Sequence, residues 1–362
     1  MRAAVIRGSE DPFTLEDIEL DPLRADEVLV EIVGVGMCHT DLLVRSPMMA
    51  GMLGTTVLGH EGSGIVRSVG DAVTGVAEGD HVLISFDSCG ACENCRTGLP
   101  AYCAQFEARN LSGRRADGTP GATDSAGEAV TARWFGQSSF AELAIATERN
   151  VVVVDKELPL EIMGPLGCGI QTGAGSVLNE MGMRAGQTIA VFGAGAVGLA
   201  AIMAAKLVGA AEIVAVDLHD SRLELAKELG ATRVVRGDVE DLVAAVKGDR
   251  GGLDFSFETT AVGPVIAAAV GVLDRPGKAV LVGAGAGELS VAPAALSGRT
   301  VTYALEGSSI PQILLPQLIE HWQAGRFPFD RLIKTYDFDD INQAEADSLS
   351  GATIKPVLRM SR

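Results

Sequence analysis

Basic residues are in short supply in this chain. Twenty-nine Lys and Arg face 47 Asp and Glu, which leaves a formal charge of −18 over 362 residues. Such a surface repels phosphate backbones and anionic headgroups, so neither a nucleic-acid nor a membrane partner is expected. Signal-like and membrane-spanning runs are missing too. Residues 1–7 (MRAAVIR) hold no apolar stretch of signal-peptide length, so a cytoplasmic chain with reduced thiols is expected. Residues 189–205 carry no charge, but these 17 positions sit at the lower limit for a span, and glycines at 193, 195 and 198 divide them. They read better as a buried strand, a tight turn and a buried helix. Aromatics are scarce at 4%, whereas 44 glycines point to tight turns and close-packed helices. No long repeat or low-complexity tract is present, and the length favours two domains.

Cysteine is also rare, and its placement is informative. Four of the six cysteines, Cys89, Cys92, Cys95 and Cys103, fall within 15 residues in a C-x2-C-x2-C-x7-C pattern. One short loop bringing four thiolates together can supply a closed tetrahedral shell for Zn²⁺. Disulfides fit poorly without export. An iron–sulfur motif fits poorly because the last spacing is seven rather than three, and Ala104 rather than Pro follows Cys103. A closed shell of this kind does no chemistry, so the cluster is expected to hold a loop.

Two patterns of secondary structure divide the chain. Residues 1–105 carry short β-rich runs between glycine turns, such as 28–33 and 64–70, and suggest a small barrel or sandwich. Residues 112–132 are polar and read as a surface loop. From Thr188 onward, strands at 188–192, 212–217, 232–235, 255–258 and 279–282 alternate with helical stretches at 221–229 and 239–246. That alternation implies a parallel, doubly wound sheet. Beyond 307, Ser308 or Ser309 can cap a helix with Pro311 in its first turn, ending near Gly325.

Gly193-Ala194-Gly195-Ala196-Val197-Gly198 matches G-x-G-x-x-G. In a glycine-rich chain the motif alone is weak. Here an apolar strand precedes it, a helical run follows, and the next strand ends in Asp217, 24 residues after Gly193. That context marks a dinucleotide site, with the pyrophosphate on the helix N-terminus. Asp217 is expected to accept from the adenosine ribose and to repel a 2′-phosphate, favouring NAD over NADP. The competing reading of Asp217 is a solvated strand-end carboxylate. Arg222 is placed with the cofactor-binding residues. Gly283-Ala284-Gly285-Ala286-Gly287 is followed by no complete βαβ unit and reads as a strand-end turn.

Cys38, His60 and Cys168 remain. Two thiolates and an imidazole can hold zinc and leave a fourth position for water or substrate. Their spacing alone does not bring them together, and a buried structural cysteine is the commoner fate of a lone thiol. Met48, Met49, Leu53 and Val57 could line a hydrophobic pocket or simply fill a core. His81, His219 and His321 have no comparable partners and read as surface or core residues.

In order, the segments Cys38-His39-Thr40-Asp41, Gly59-His60-Glu61-Gly62, the four-cysteine lobe, Gly167-Cys168-Gly169-Ile170-Gln171-Thr172-Gly173 and the glycine fingerprint resemble the zinc-dependent medium-chain alcohol dehydrogenases over nearly the whole length. The resemblance implies an α/β protein: a Rossmann doubly wound sheet at 170–306 and a GroES-like β-rich catalytic domain at 1–169 and 307–362. It implies two zincs per chain and NAD. Cys38, His60 and Cys168 would bind the catalytic zinc, with Glu61 as an alternate ligand. Asp41 would orient the zinc histidine, and Thr40 would take the proton from the alcohol. Thr172 and Val197 would lie beside the nicotinamide, and His39 and Lys355 near the pyrophosphate. Leu111-Ser112-Gly113-Arg114-Arg115, Phe135-Gly136-Gln137-Ser138-Ser139-Phe140 and Gly325-Arg326-Phe327-Pro328-Phe329-Asp330 are most similar to the aryl-alcohol (benzyl alcohol) and geraniol dehydrogenase subgroup.

The expected activity is reversible oxidation of primary aromatic or allylic alcohols to aldehydes, with hydride leaving a zinc-bound alkoxide for NAD, in a homo-oligomer (dimer or tetramer). Many members place a histidine three positions after Thr40 to pass the proton to solvent. This chain has Leu43, so the proton must leave through the cofactor ribose and water or by way of His39. The alternatives are a zinc dehydrogenase of another alcohol class, a zinc-free reductase of activated double bonds, and a non-enzymatic NAD sensor. The complete Cys38/His60/Cys168 set argues against the zinc-free reductase.

Overall fold

A computed structural model describes residues 1–8, 11–44 and 54–360. They form two compact units, one of Met1–Cys168, Ile310–Pro316 and Asp330–Arg362, the other of Gly169–Ser309 and Gln317–Phe329. Residues 317–329, expected with the first unit, group with the second. There the Trp322 and Phe329 rings pack 5.8 Å apart. No helix among the described residues is long and apolar enough to cross a membrane.

The first unit is β-rich. Arg2–Ile6, Thr14–Leu20, Gly121–Asp124, Ala129–Thr131 and Thr56–Val57 close into a barrel. A seven-stranded sheet is built around the long strand Glu27–Gly36, which pairs with Glu61–Val69, Leu143–Thr147 and Lys355–Arg359. Val28, Val30 and Val35 of that strand are fully buried. The C-terminal strand thus pairs with an early one, which delivers Cys38 just beyond its last residue. Val57 is also fully buried and pairs with Val5, so it belongs to the core. Met48, Met49 and Leu53 lie outside the described residues.

One segment departs from expectation. The polar stretch 112–132, expected as a loop, contributes two barrel strands. Asp124 folds the connection by accepting from the backbone N–H of Ala126 (2.9 Å) and Glu128 (3.0 Å), with Gly127 at φ 81°. Polar composition concealed the hairpin because its anchor is itself charged. Arg115 grips Glu27 through two bonds (2.7 and 2.8 Å) and also reaches Asp21 (3.0 Å).

The second unit is a six-stranded parallel sheet. Its order from edge to edge is Arg233–Arg236, Glu212–Asp217, Thr188–Phe192, Leu253–Glu258, Leu273–Leu281 and Arg299–Tyr303. Every residue of Thr188–Phe192 is buried, as a central strand covered on both faces requires. The strand and helix at 188–208 replace any membrane reading of that run. Helix Ala196–Val208 starts at Gly195 and stops at Gly209, which takes the left-handed conformation at φ 82°. Helix Pro311–Gln323 follows Ser308 and Ser309, close to its expected span.

The Arg115–Glu27 pair is buried, with side chains 4% and 3% exposed. Removing one partner strands the other charge. Arg115→Met should therefore lower stability by on the order of 3 kcal/mol, read as a clear fall in the thermal unfolding midpoint. Arg67→Met, which breaks an exposed pair with Glu31, should leave the midpoint where it is.

Candidate active site and metal centres

The four clustered cysteines come together in the first unit. None of the six cysteines is in a disulfide. The sulfurs of Cys89, Cys92, Cys95 and Cys103 lie within 4.8 Å of one another, with Cys92–Cys95 at 3.5 Å and Cys89–Cys95 at 3.9 Å. Four sulfurs 2.3 Å from a shared centre stand roughly 3.8 Å apart, so the spacing suits a tetrahedral zinc shell. Backbone N–H groups turn inward to support negative sulfur. Ala91 and Cys92 donate to Cys89 Sγ, Cys89 and Gln105 donate to Cys103 Sγ, and Ala104 donates to Cys92 Sγ. The Ala104 and Cys95 N–H groups bring the Cys92 thiol down to about 6, whereas burial and the neighbouring Cys92 thiol push Cys95 up to about 12. A cation removes that conflict by stabilising every thiolate at once.

A second cluster gathers residues from three distant segments. Cys38 follows strand Glu27–Gly36 and starts helix His39–Leu43; His60 precedes strand Glu61–Val69; Cys168 follows the short turn Gly164–Gly167. Their ligating atoms all lie within 4.8 Å of one another. The hydrogen bond with Cys168, opposed by burial and helped by the Lys355 charge, holds the Cys38 thiol well below the usual range. His60 Nδ1 meets Asp41 Oδ1 at 2.7 Å, while its Nε2 is buried and makes no hydrogen bond among the described residues. An imidazole with one nitrogen on a carboxylate and the other bare beside two thiols has the donor set of a three-ligand zinc site with an open position.

Asp41 is the centre of this arrangement. Fully buried, it accepts from Cys38 N (3.1 Å), Gly59 N (3.1 Å) and the indole Nε1 of Trp134 (3.0 Å) in addition to His60. Gly59 adopts φ 88°, and a β-carbon there would run into Phe140. Phe135 stacks on His60 with ring centroids 4.3 Å apart. Gln137 ties the same region down, donating to His60 O (3.0 Å) and accepting from Gly62 N (3.1 Å). Trp134, Phe135 and Gln137 had no site role in the sequence reading. Two adjacent aromatics in an aromatic-poor chain were the available signal.

Other expected residues fall as follows. Thr40 Oγ1 lies 3.8 Å from Cys38 Sγ, beside the second cluster. His39 is exposed, and with Leu42, Leu43, Asn342 and Ala346 it lines a groove of about 460 Å³. Glu61 does not join the ligating atoms of Cys38, His60 and Cys168. Both its oxygens lie 2.8 Å from Lys355 Nζ, which also donates to Met37 O (3.2 Å). Lys355, expected near the pyrophosphate, has its ammonium buried against Glu61, which it neutralises. Burial opposes that charge, but Glu61 outweighs it and holds Lys355 above the ordinary lysine range. Neither group could be buried alone.

In the second unit the glycine turn has the shape of a cofactor cradle. Gly193 sits at φ 96°, and a β-carbon on Gly198 would strike the Gly193 carbonyl, so the turn packs tightly on its own helix. A β-carbon on Gly195 would instead meet only open space, room that a pyrophosphate can use. Asp217 closes the strand beside it, accepting from Ala194 N (2.7 Å) and His219 N (2.9 Å). Arg222 Nη1 is 3.9 Å from Asp217, and its Nε is buried without a hydrogen-bond partner among the described residues. Gly173 packs on the Val197 carbonyl, which brings Thr172 and Val197 into one neighbourhood. Residues 283–287 form the strand-end turn, folded back on Ala261.

Residues 24–156 match the family model of the alcohol dehydrogenase GroES-like domain, and residues 196–321 match that of the zinc-binding dehydrogenase. The chain is 43% identical over 365 residues to the geraniol dehydrogenase of Castellaniella defragrans, covering 99% of this chain and 97% of that one. It resembles the solved structure of an alcohol dehydrogenase zinc-binding domain protein from Burkholderia ambifaria, with a TM-score of 0.95, 46% identity and coverage of 100% and 99%. It also resembles the benzyl alcohol dehydrogenase of Acinetobacter calcoaceticus, with a TM-score of 0.93, 43% identity and 99% coverage of each chain.

Metal analysis of pure protein should give two zincs per chain with separable roles. Cys89→Ser should mainly impair folding, since a structural site contributes folding free energy, whereas Cys168→Ser should leave the fold and abolish turnover. One zinc at full activity would overturn the assignment. In the cofactor site, Asp217→Gly should relax selection against NADP. An unchanged NAD/NADP ratio of kcat/KM would assign the choice to another group.

Proposed function

The chain belongs to the zinc-binding alcohol dehydrogenase family, and from that membership we propose that it reversibly oxidises primary aromatic or allylic alcohols to aldehydes. It is an NAD-dependent alcohol dehydrogenase that uses zinc. The observation that carries the catalytic reading is the convergence of Cys38, His60 and Cys168 within 4.8 Å, with His60 Nε2 unpaired and Asp41 holding the other ring nitrogen. Support for the substrate class comes from the two relatives named for geraniol and for benzyl alcohol. An aryl or allylic group conjugates with the forming carbonyl, which eases oxidation.

Zinc, when held by Cys38, His60 and Cys168, supplies Lewis acidity that makes an alcohol hydroxyl easier to ionise. Two thiolates and one neutral imidazole leave a position open for that oxygen. Asp41 keeps the His60 proton on Nδ1, so the Nε2 lone pair is directed outward. The Thr40 hydroxyl, beside Cys38, takes the alcohol proton. Leu43 cannot relay it, and exposed His39 offers a way to solvent. NAD, when bound, would supply the hydride acceptor for the alcohol carbon. Asp217 would hold its adenosine ribose, Gly193, Gly195 and Gly198 would accommodate the pyrophosphate with the Arg222 guanidinium contributing from the next helix, and Thr172 and Val197 would border the nicotinamide.

We assign the catalytic role to the unit of 1–168, 310–316 and 330–362 and the NAD-binding role to the unit of 169–309 and 317–329. A cytoplasmic location and a dimeric or tetrameric assembly complete the proposal. Six cysteines outside any disulfide, four of them crowded into one loop, favour a reducing compartment.

Initial rates with NAD⁺, followed by NADH absorbance, test the reaction. Benzyl alcohol, cinnamyl alcohol or geraniol should show kcat/KM well above ethanol, which offers little apolar area to bury at about 25 cal/mol per Å². Thr40→Ala should cut turnover for all of them by about 100-fold. Preference for ethanol or a secondary alcohol sinks the substrate assignment, and a Thr40→Ala variant as fast as the parent sinks the role of the hydroxyl.

A further inference from the structure

Trp134 occupies an unusual place for an indole. It is fully buried, and its N–H points not at a backbone carbonyl but at a carboxylate oxygen, Asp41 Oδ1, 3.0 Å away. The same oxygen receives His60 Nδ1 at 2.7 Å and Gly59 N at 3.1 Å. The turn that presents the indole is strained. Phe135 and Ser138 both adopt left-handed conformations, at φ 51° and 54°. Non-glycine residues are held in that region only where the surroundings compel it. Ser138 Oγ locks the turn, accepting from Trp134 N (2.8 Å) and donating to Val57 O (2.6 Å). The outcome of that strain is that two successive side chains reach one target. The indole of Trp134 bonds the carboxylate behind His60, and the ring of Phe135 lies on the face of His60 at 4.3 Å.

We propose that Trp134 is a positioning residue for the catalytic metal, fixing through its indole N–H the carboxylate of Asp41 and so the direction of the His60 Nε2 lone pair. Four donors meet the two carboxylate oxygens: His60, Gly59 and Trp134 on Oδ1, Cys38 N on Oδ2. Two of them are main-chain groups next to ligands, so they move with the ligands they serve. Trp134 alone comes from a segment that supplies no ligand, and it can therefore hold the carboxylate against a frame outside the metal site. Without its N–H, Asp41 keeps only partners that belong to the ligand-bearing segments, so the carboxylate and His60 can shift together with them. Groups that orient a metal histidine from behind typically govern metal affinity by 10- to 100-fold. The proposal rests on Cys38, His60 and Cys168 being zinc ligands, and Trp134 itself touches neither metal nor substrate.

The test separates the N–H from the ring. Trp134 is replaced by 3-benzothienylalanine, which keeps the fused-ring shape and puts sulfur in place of the N–H; Trp134→Phe is made alongside. Zinc release to a chelator is timed in the parent and both variants, with the four-cysteine zinc of the same molecule as internal control. The catalytic zinc is then exchanged for Co²⁺ and its d–d absorption recorded. The thienyl variant should lose the catalytic zinc at least tenfold faster than the parent, keep the four-cysteine zinc at the parent rate, and show shifted cobalt bands. Parent-like release and parent-like bands in the thienyl variant overturn the proposal. So does faster release in Trp134→Phe that the thienyl variant does not share, since the ring alone then matters. A parent holding a single zinc brings down the ligand reading and the proposal with it. That failure is seen in the parent, before any variant is compared.

Discussion

A single buried carboxylate organises the first unit. Asp41 has no exposed surface and is tied to Cys38, Gly59, His60 and Trp134, which belong to three separate stretches of chain. An ionised carboxylate without water is tolerated only when donors surround it. Satisfying Asp41 is thus the same act as bringing the strand end at 38, the turn at 59–60 and the turn at 134–138 to one point. The geometry that the folding chain must reach to keep this charge is the geometry that leaves His60 Nε2 bare beside two thiols.

The two metal centres differ in how much of the fold they need. The four-cysteine shell is local: its ligands span 15 residues, and its supporting N–H donors come from the same loop. The second cluster is drawn from 38, 60 and 168 and depends on long-range strand pairing, including that of 27–36 with 61–69. That contrast explains what could be read from the sequence. Spacing alone exposed the four-cysteine loop and, with the flanking strands and Asp217, the glycine turn, because each is complete within one short segment or one βαβ unit. Spacing said nothing of the second cluster, whose ligands converge only through tertiary structure; resemblance to a family was needed to group them.

The features that stayed hidden share a cause. The hairpin at 121–131 was concealed because polar residues normally mark loops, whereas here Arg115 is buried on Glu27 and the segment is fastened by charge. Lys355 was placed near the pyrophosphate by family resemblance alone. In the structure it is buried on Glu61. Trp134 and Phe135 were plain aromatics until the left-handed turn after them showed where the rings are sent. In each case a side chain of one expected environment sits in another, and only its partner explains why. Sequence pattern reports the environment a residue prefers; it does not report the partner that changes that preference.

The Lys355–Glu61 pair bears directly on what zinc can do at this site. Cys38, Cys168, Asp41 and Glu61 place two thiolates and two carboxylates in one buried region, with Lys355 as the ammonium among them. A dication is the natural complement to such a surplus of negative charge. Glu61, however, is already neutralised, with both oxygens on Lys355. To become a metal ligand it would have to give up at least one of those bonds and leave the ammonium partly unpaired, a cost measured in kcal/mol for a buried charge. Lys355 therefore holds Glu61 in an ion pair, and the ligating atoms of Cys38, His60 and Cys168 converge without it.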